Sequence, residues 1–122
     1  MNQKKIFICD DDKGITDMLE LVLEYYGFAP IVETDSVHAF EKIRESKPDL
    51  IIVDLWMPII SGDQLIRKIR NNDELKNIFI LCISASRDGE EVASGAGADL
   101  FLPKPFDMDE LITIIKQAIP EK

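Results

Sequence analysis

The sequence predicts a doubly wound α/β sandwich, and three observations carry that reading. Short β-branched runs of strand length alternate with segments of helical period. The alternation repeats five times, with no internal repeat, low-complexity tract or linker. Four of the runs end on a carboxylate, a hydroxyl or an ammonium: Ile6-Phe7-Ile8-Cys9 on Asp10-Asp11-Asp12, Leu50-Ile51-Ile52-Val53 on Asp54, Ile78-Phe79-Ile80-Leu81-Cys82-Ile83 on Ser84, and Leu100-Phe101-Leu102-Pro103 on Lys104. Such runs read as buried parallel strands. In an open parallel sheet, functional groups collect beyond the carboxyl ends of the strands, so these residues converge on one edge.

Each helix has its own signature. After the first strand, Ile15, Met18, Leu19, Val22 and Tyr26 mark one face, Asp12 is placed as N-cap and Gly27 as terminator. Residues 29–34 form a weaker strand candidate. Val37, Phe40 and Ile43 then recur at helical spacing until Lys47-Pro48. Leu65, Ile66 and Ile69 mark a third helix after Ser61-Gly62. The fourth helix, expected from Arg87 to Gly97, contains Gly89, Gly95 and Gly97 and has only Val92 and alanines to bury. An interior Gly costs a helix about 1 kcal/mol against Ala, so this segment is expected to be short and the least stable element. Asp107 and Glu110 have capping-box spacing for a last helix that buries Leu111, Ile114, Ile115 and Ala118. Pro103 removes a ladder donor, which suits an edge strand.

Composition narrows the function classes. The 122 residues fit one domain, residues 1–122, and 46% are apolar. No apolar run has the length of a membrane span and no signal-peptide pattern opens the chain, so a cytoplasmic location is the expectation. A net charge of −9 argues against direct nucleic-acid binding and suits metal cations and basic partners. Cys9 and Cys82 read as core thiols, too far apart for a disulfide if another strand separates theirs. His38 lies beside Asp35 and Glu41, without a second His or Cys near it in sequence, and is not expected to bind metal.

The convergent set suits phosphoryl chemistry. An aspartate can attack phosphorus to give an acyl phosphate. The transfer asks mainly for positioning and neutralisation of the equatorial oxygens. Mg²⁺ takes hard oxygen ligands, which Asp10, Asp11 and Asp54 supply. Lys104 adds a fixed cation, and the Ser84 hydroxyl can donate to a phosphoryl oxygen.

Taken in order, Asp10-Asp11, Asp54, Met57-Pro58 with Gly62, Ser84-Ala85 and Lys104-Pro105-Phe106 resemble the receiver domain of two-component response regulators, over essentially the whole chain. The resemblance implies a CheY-like, flavodoxin-like three-layer sandwich with a five-stranded parallel sheet in the order 2-1-3-4-5. It implies that Asp54 is the phosphoacceptor, with Lys104 and Ser84 in the catalytic set. Asp11 and Asp54 would bind Mg²⁺ (or Mn²⁺) directly with the backbone carbonyl of Trp56, and Asp10 mostly through water. The Lys104-Pro105 bond would be cis and aim Lys104 at Asp54. By position, Trp56 and Ser86 tune rates, while Ser84 and Phe101 form the switch, the Phe101 ring swinging inward as Ser84 moves. The phosphoryl donor would be a histidine kinase or phosphotransfer protein, and the output protein or fused effector stays unspecified. Phosphorylation-dependent self-association is a further expectation, through the face of the fourth helix, fifth strand and fifth helix. The stretch from Ser84 to Lys104 is shorter than usual in the family. With no effector domain after Pro120-Glu121-Lys122, a stand-alone regulator or an excised receiver is expected.

Two competitors remain. A haloacid-dehalogenase-type phosphatase accounts for Asp10-Asp11-Asp12, Ser84 and Lys104, but leaves Asp54-Leu55-Trp56-Met57-Pro58 unexplained and has no room for a cap domain. A pseudo-receiver would keep the fold without phosphorylation, against which the complete acidic set argues.

Overall fold

The computed structural model describes residues 3–86 and 88–120. Its elements run β1 (Lys5–Cys9), α1 (Lys13–Tyr25), β2 (Ala29–Glu33), α2 (Ser36–Ser46), β3 (Leu50–Asp54), α3 (Gly62–Arg70), β4 (Phe79–Ser84), α4 (Gly89–Ala96), β5 (Leu100–Pro103) and α5 (Met108–Ala118). The five strands form one parallel sheet ordered β2-β1-β3-β4-β5. Pro103 falls on the edge strand β5, and the carbonyl of Ser84, its register partner, accepts from the Lys104 N–H instead.

The two-residue period of the strands builds two cores, one on each face of the sheet. Ile6, Ile8, Leu50, Ile52, Leu81 and Ile83 meet Leu19 and Leu23 of α1 and Leu111, Ile112 and Ile115 of α5. Phe7, Cys9, Ile51, Val53, Ile80 and Cys82 meet Ala39 and Ile43 of α2, Leu65, Ile66 and Ile69 of α3, and Ala93 and Ala96 of α4. Every residue of β3 is buried, so the central strand that ends in Asp54 is the best-anchored part of the sheet. Each large aliphatic buried this way contributes about 1.5–3 kcal/mol. Cys9 and Cys82 flank Val53 across β3 and are both free. Burial, with nearby carboxylates adding to it, pushes both thiols up to about 12, so they are inert core residues.

Several helix faces differ from the sequence expectation. On α1 the buried residues are Thr16, Leu19 and Leu23, whereas Met18 and Tyr26 are exposed. Thr16 is tolerated there because its hydroxyl donates to the Lys13 carbonyl at 3.0 Å. On α2, Ala39 and Ile43 face the core and Val37 is exposed. On α5, Ile112 is buried where Ile114 was expected, and Ile114 and Ala118 are half-buried. These helices carry apolar residues on adjacent stripes, and only the position of the sheet decides which stripe is covered. Asp107 caps α5 through the Asp109 N–H at 2.9 Å, while Glu110 stays exposed. A box-like return bond occurs instead on α3, where Gln64 Oε1 accepts from the Ser61 N–H at 3.0 Å. The fourth helix is indeed short, Gly89–Ala96; its expected start at Arg87 lies outside the described residues.

Candidate functional site

The strand register brings the sequence-predicted residues together. Cys9 pairs with Val53, Val53 with Cys82, and Ser84 with Pro103, so the residues that follow share one end of the sheet. The Lys104 N–H donates to the Ser84 carbonyl at 2.9 Å, and the Leu55 N–H donates to the Ile83 carbonyl at 2.9 Å. Asp54 is therefore held by its own strand and by β4.

Gly62 explains why a glycine follows Met57-Pro58 in this pattern. Its N–H donates to the Leu55 carbonyl at 2.6 Å. A Cβ there would lie against the Asp54 carbonyl oxygen and 2.7 Å from the Leu55 Cα. α3 thus starts directly on the backbone of the candidate nucleophile, an approach that only glycine permits. The intervening loop is braced by Ser36, whose hydroxyl donates to the Pro58 carbonyl at 2.6 Å and accepts from the Ile60 N–H at 3.2 Å. Sequence reasoning passed over Ser36, since nothing in its neighbourhood marks it; only the long-range contact does. Met57 packs its sulfur 3.5 Å from Cys9 Sγ beneath the same loop.

Asp10 is fully buried and doubly satisfied. Oδ1 accepts from the Asp12 N–H at 2.9 Å, and Oδ2 accepts from Lys104 Nζ at 3.1 Å. Lys104 Nζ lies 3.5 Å from Asp54 Oδ1. The ammonium expected to aim at Asp54 therefore reaches both carboxylates and hydrogen-bonds Asp10. A carboxylate without solvent contact has the greater need of a cation. The Lys104-Pro105 bond is cis, as the resemblance implies. Asp12 fills its expected N-cap place, its side chain accepting from the Gly14 and Ile15 N–H groups.

The electrostatics match the crowding. Burial, then the charge of Asp10, raises Asp54 to about 6, against the opposing pull of Lys104. Burial draws Lys104 down, but its hydrogen bond to Asp10 and the charges of Asp10 and Asp54 outweigh that and raise it overall. Oxygens of Asp10, Asp11 and Asp54 all lie within 4.8 Å of one another. An all-oxygen anionic set of this kind fits a hard divalent cation.

The remaining candidates surround this centre. Ser84 is buried and its Oγ accepts from the Ser86 N–H at 3.0 Å, so both expected serines meet at the start of the β4–α4 turn. Trp56 lies on the loop after β3 and is half exposed, at 50%. Phe101 is partly buried against the α4 side of the core. A cavity of about 320 Å³ adjoins Lys104 and is lined by Ile15, Met18, Ala85, Pro105 and Phe106. Nothing in the local sequence pattern marked this apolar pocket, because its walls come from α1 and from two strand-end turns.

Comparison with known proteins agrees with this architecture. The model of the response regulator receiver domain matches residues 6–116. A response regulator MprA of Mycobacterium leprae (strain TN) is 30% identical over 112 residues, covering 92% of this chain and 49% of the relative. The chain thus spans about half the length of the curated relatives it matches. Among solved structures, the Francisella response regulator 1452 receiver domain is 29% identical with a TM-score of 0.86, covering 95% of this chain and 96% of that one. A two-component response regulator from Clostridium difficile is 28% identical with a TM-score of 0.88, covering 96% of each chain.

Proposed function

The chain belongs to the response regulator receiver family, and from that premise we propose that Asp54 is its phosphoacceptor, served by Lys104 and Ser84. The observation that carries the proposal is the buried carboxylate at the end of the central strand, with α3 starting on its backbone and a lysine ammonium 3.5 Å from it. An Asp54 oxygen attacks the phosphorus of a phosphohistidine. The P–N bond breaks, and its electron pair returns to the histidine of a kinase or phosphotransfer protein. Lys104 neutralises the phosphoryl oxygens and the Ser84 hydroxyl donates to one of them. Asp11 and Asp54, with the Trp56 carbonyl and with Asp10 behind them, would hold Mg²⁺ or Mn²⁺, which supplies charge neutralisation. Hydrolysis of the acyl phosphate returns the switch to rest, and the exposed Trp56 indole slows it by crowding the line of water attack, a line on which Ser86 is too short to hold a water.

A protein donor must bring its histidine to this edge, which is apolar around its acidic centre. Ile15, Met18, Pro105 and Phe106 line the cavity beside Lys104, and Leu21 and Tyr25 continue an exposed stripe along α1. A cytoplasmic place of action fits such a donor, and no described helix is long and apolar enough to cross a membrane.

Incubation with acetyl phosphate and Mg²⁺, read by intact mass, tests the assignment. One phosphoryl group, labile to hydroxylamine, is expected on the wild type and none on Asp54→Ala. Label on Asp54→Ala at the wild-type extent would refute Asp54 as acceptor. A wild type that takes no label would favour the pseudo-receiver.

A further inference from the structure

The first residue of α4 is a buried glycine whose missing side chain leaves room for another residue. A Cβ on Gly89 would lie 2.8 Å from both Cε1 and Cζ of Phe101 and 3.2 Å from the Cβ of Ser84. Those two ring atoms are the far edge of the side chain, so the ring reaches beneath the first turn of α4 towards Ser84. On its other flank the ring borders a cleft of about 150 Å³ between α4 and β5, walled by Glu90, Ala93, Ser94 and Leu100. The ring lies beneath Gly89, with this cleft beside it.

We propose that Gly89 is a positioning residue that sets the resting place of Phe101. The ring is inward before any phosphoryl group arrives, and phosphorylation acts through Ser84 and the turn before α4 without a ring swing. The ring placement stands alone; the second half rests on the phosphoacceptor reading above. This departs from the inward swing that the sequence resemblance implied.

The physical reason is contact distance. Carbon atoms pack best at about 3.5–4.0 Å, and a side chain at position 89 would meet the ring well inside that range. A phenyl ring is rigid, so it yields only by rotating as a whole about its side-chain torsions. The adjacent cleft is where such a rotation would carry it. With no hydroxyl, Phe101 leaves no polar group unpaired in its inner place. At the start of α4 Asp88 makes no side-chain cap bond, and the turn is tied instead by the Asp88 N–H donating to Ser86 Oγ at 3.3 Å and the Gly89 N–H donating to the Ser86 carbonyl at 3.2 Å. The Ser84 Oγ accepts from the Ser86 N–H at 3.0 Å and keeps its own hydrogen to donate to a phosphoryl oxygen, so the hydroxyl links the phosphoryl site to the turn before α4.

Nuclear Overhauser contacts of the Phe101 ring, in protein labelled at phenylalanine, test both halves. The wild type is measured in EDTA and again with acetyl phosphate and Mg²⁺, with phosphoryl addition followed in parallel by mass. Ring contacts to Gly89 Hα and Ser84 Hβ are expected in EDTA and should persist after phosphorylation. Gly89→Ala should lose the Ser84 contacts, gain contacts to Ala93 and Leu100, and still take the phosphoryl group. Inner contacts missing from the wild type in EDTA, or appearing only with the phosphoryl group, would overturn the proposal, as would a folded Gly89→Ala that retains them. The EDTA measurement needs neither a variant nor phosphorylation. A wild type that takes no label therefore defeats the Asp54 reading and leaves the ring placement to its own result.

Discussion

α3 and α4 lie side by side against the same face of the sheet, yet they are built in opposite ways. α3 buries Leu65, Ile66 and Ile69, carries a return bond at its start and three basic residues in its last turn, where they complement the helix dipole. α4 buries only Gly89, Ala93 and Ala96, and its N-cap makes no side-chain bond. α3 starts on the backbone of Asp54 through Gly62, and α4 starts on the Phe101 ring through Gly89. The helix behind the candidate nucleophile is firmly anchored, and the helix beside the Ser84 turn buries smaller residues and begins without a side-chain cap. A receiver needs both: geometry that does not drift during transfer, and an element whose state can change afterwards.

The contrast within α4 is as sharp. Its far end is tied by Arg70, whose guanidinium donates to the carbonyls of Gly97 (2.8 Å), Lys76 (2.8 Å) and Ile78 (2.7 Å) and to Asp99 Oδ2 (2.7 Å). Any loosening is therefore concentrated at the N-terminal end of α4, next to Ser84.

The largest expected effect comes from emptying the α3 anchor. Leu65→Ala should lose about 2–5 kcal/mol in urea denaturation, and a loss below 1 kcal/mol would place the anchor elsewhere. Next is the charge held at Asp54. Its folded pKa of about 6 lies above the ordinary value of 3.8, so the folded state binds more protons between those values and stability falls as pH rises through that window. By neutral pH this amounts to up to about 3 kcal/mol in metal-free protein. Asp54→Asn should remove that slope and raise the melting temperature in EDTA at pH 7, while reducing the stabilisation by Mg²⁺. Parallel stability profiles from pH 4 to pH 7 for wild type and variant would contradict the assignment. Asp11, being exposed, should give a smaller gain on Asp11→Asn.

Smaller effects sharpen the α4 side. Arg70→Met leaves carbonyls without their donor and should destabilise by about 1–3 kcal/mol, with faster amide exchange at residues 93–98 than at 89–92 relative to wild type. Uniform acceleration along α4 would mean that Arg70 does not divide the helix. Gly95→Ala meets nothing within 4 Å and should stabilise by about 0.5–1 kcal/mol. A destabilised variant would show that the helix interior is more closely packed than this arrangement allows.

Much of this was legible in the sequence, for a physical reason. Buried parallel strands leave long apolar runs, so the ends at Asp54, Ser84 and Lys104 stand out, and alternation along the chain fixes the layers. The pairing of helix faces was less legible. Met18 and Leu23, or Ile112 and Ile114, differ in burial by how the sheet meets the helix, and residue type does not record that. The partner chosen by Lys104 also depends on relative burial, which sets Asp10 before Asp54. Gly62 and Gly89 were visible as glycines, but the backbone and the ring they make room for come from elsewhere in the chain.

Hydrogen exchange, with and without acetyl phosphate and Mg²⁺, tests the asymmetry of the two helices most directly. Amides of α3 at 65–70 should exchange slowly and equally in both conditions. Amides of α4 at 89–92 should exchange faster at rest and change their protection on phosphorylation, more than those of α1 or α2. Equal protection of α3 and α4 at rest, or changes confined to α1 and α2, would contradict the account.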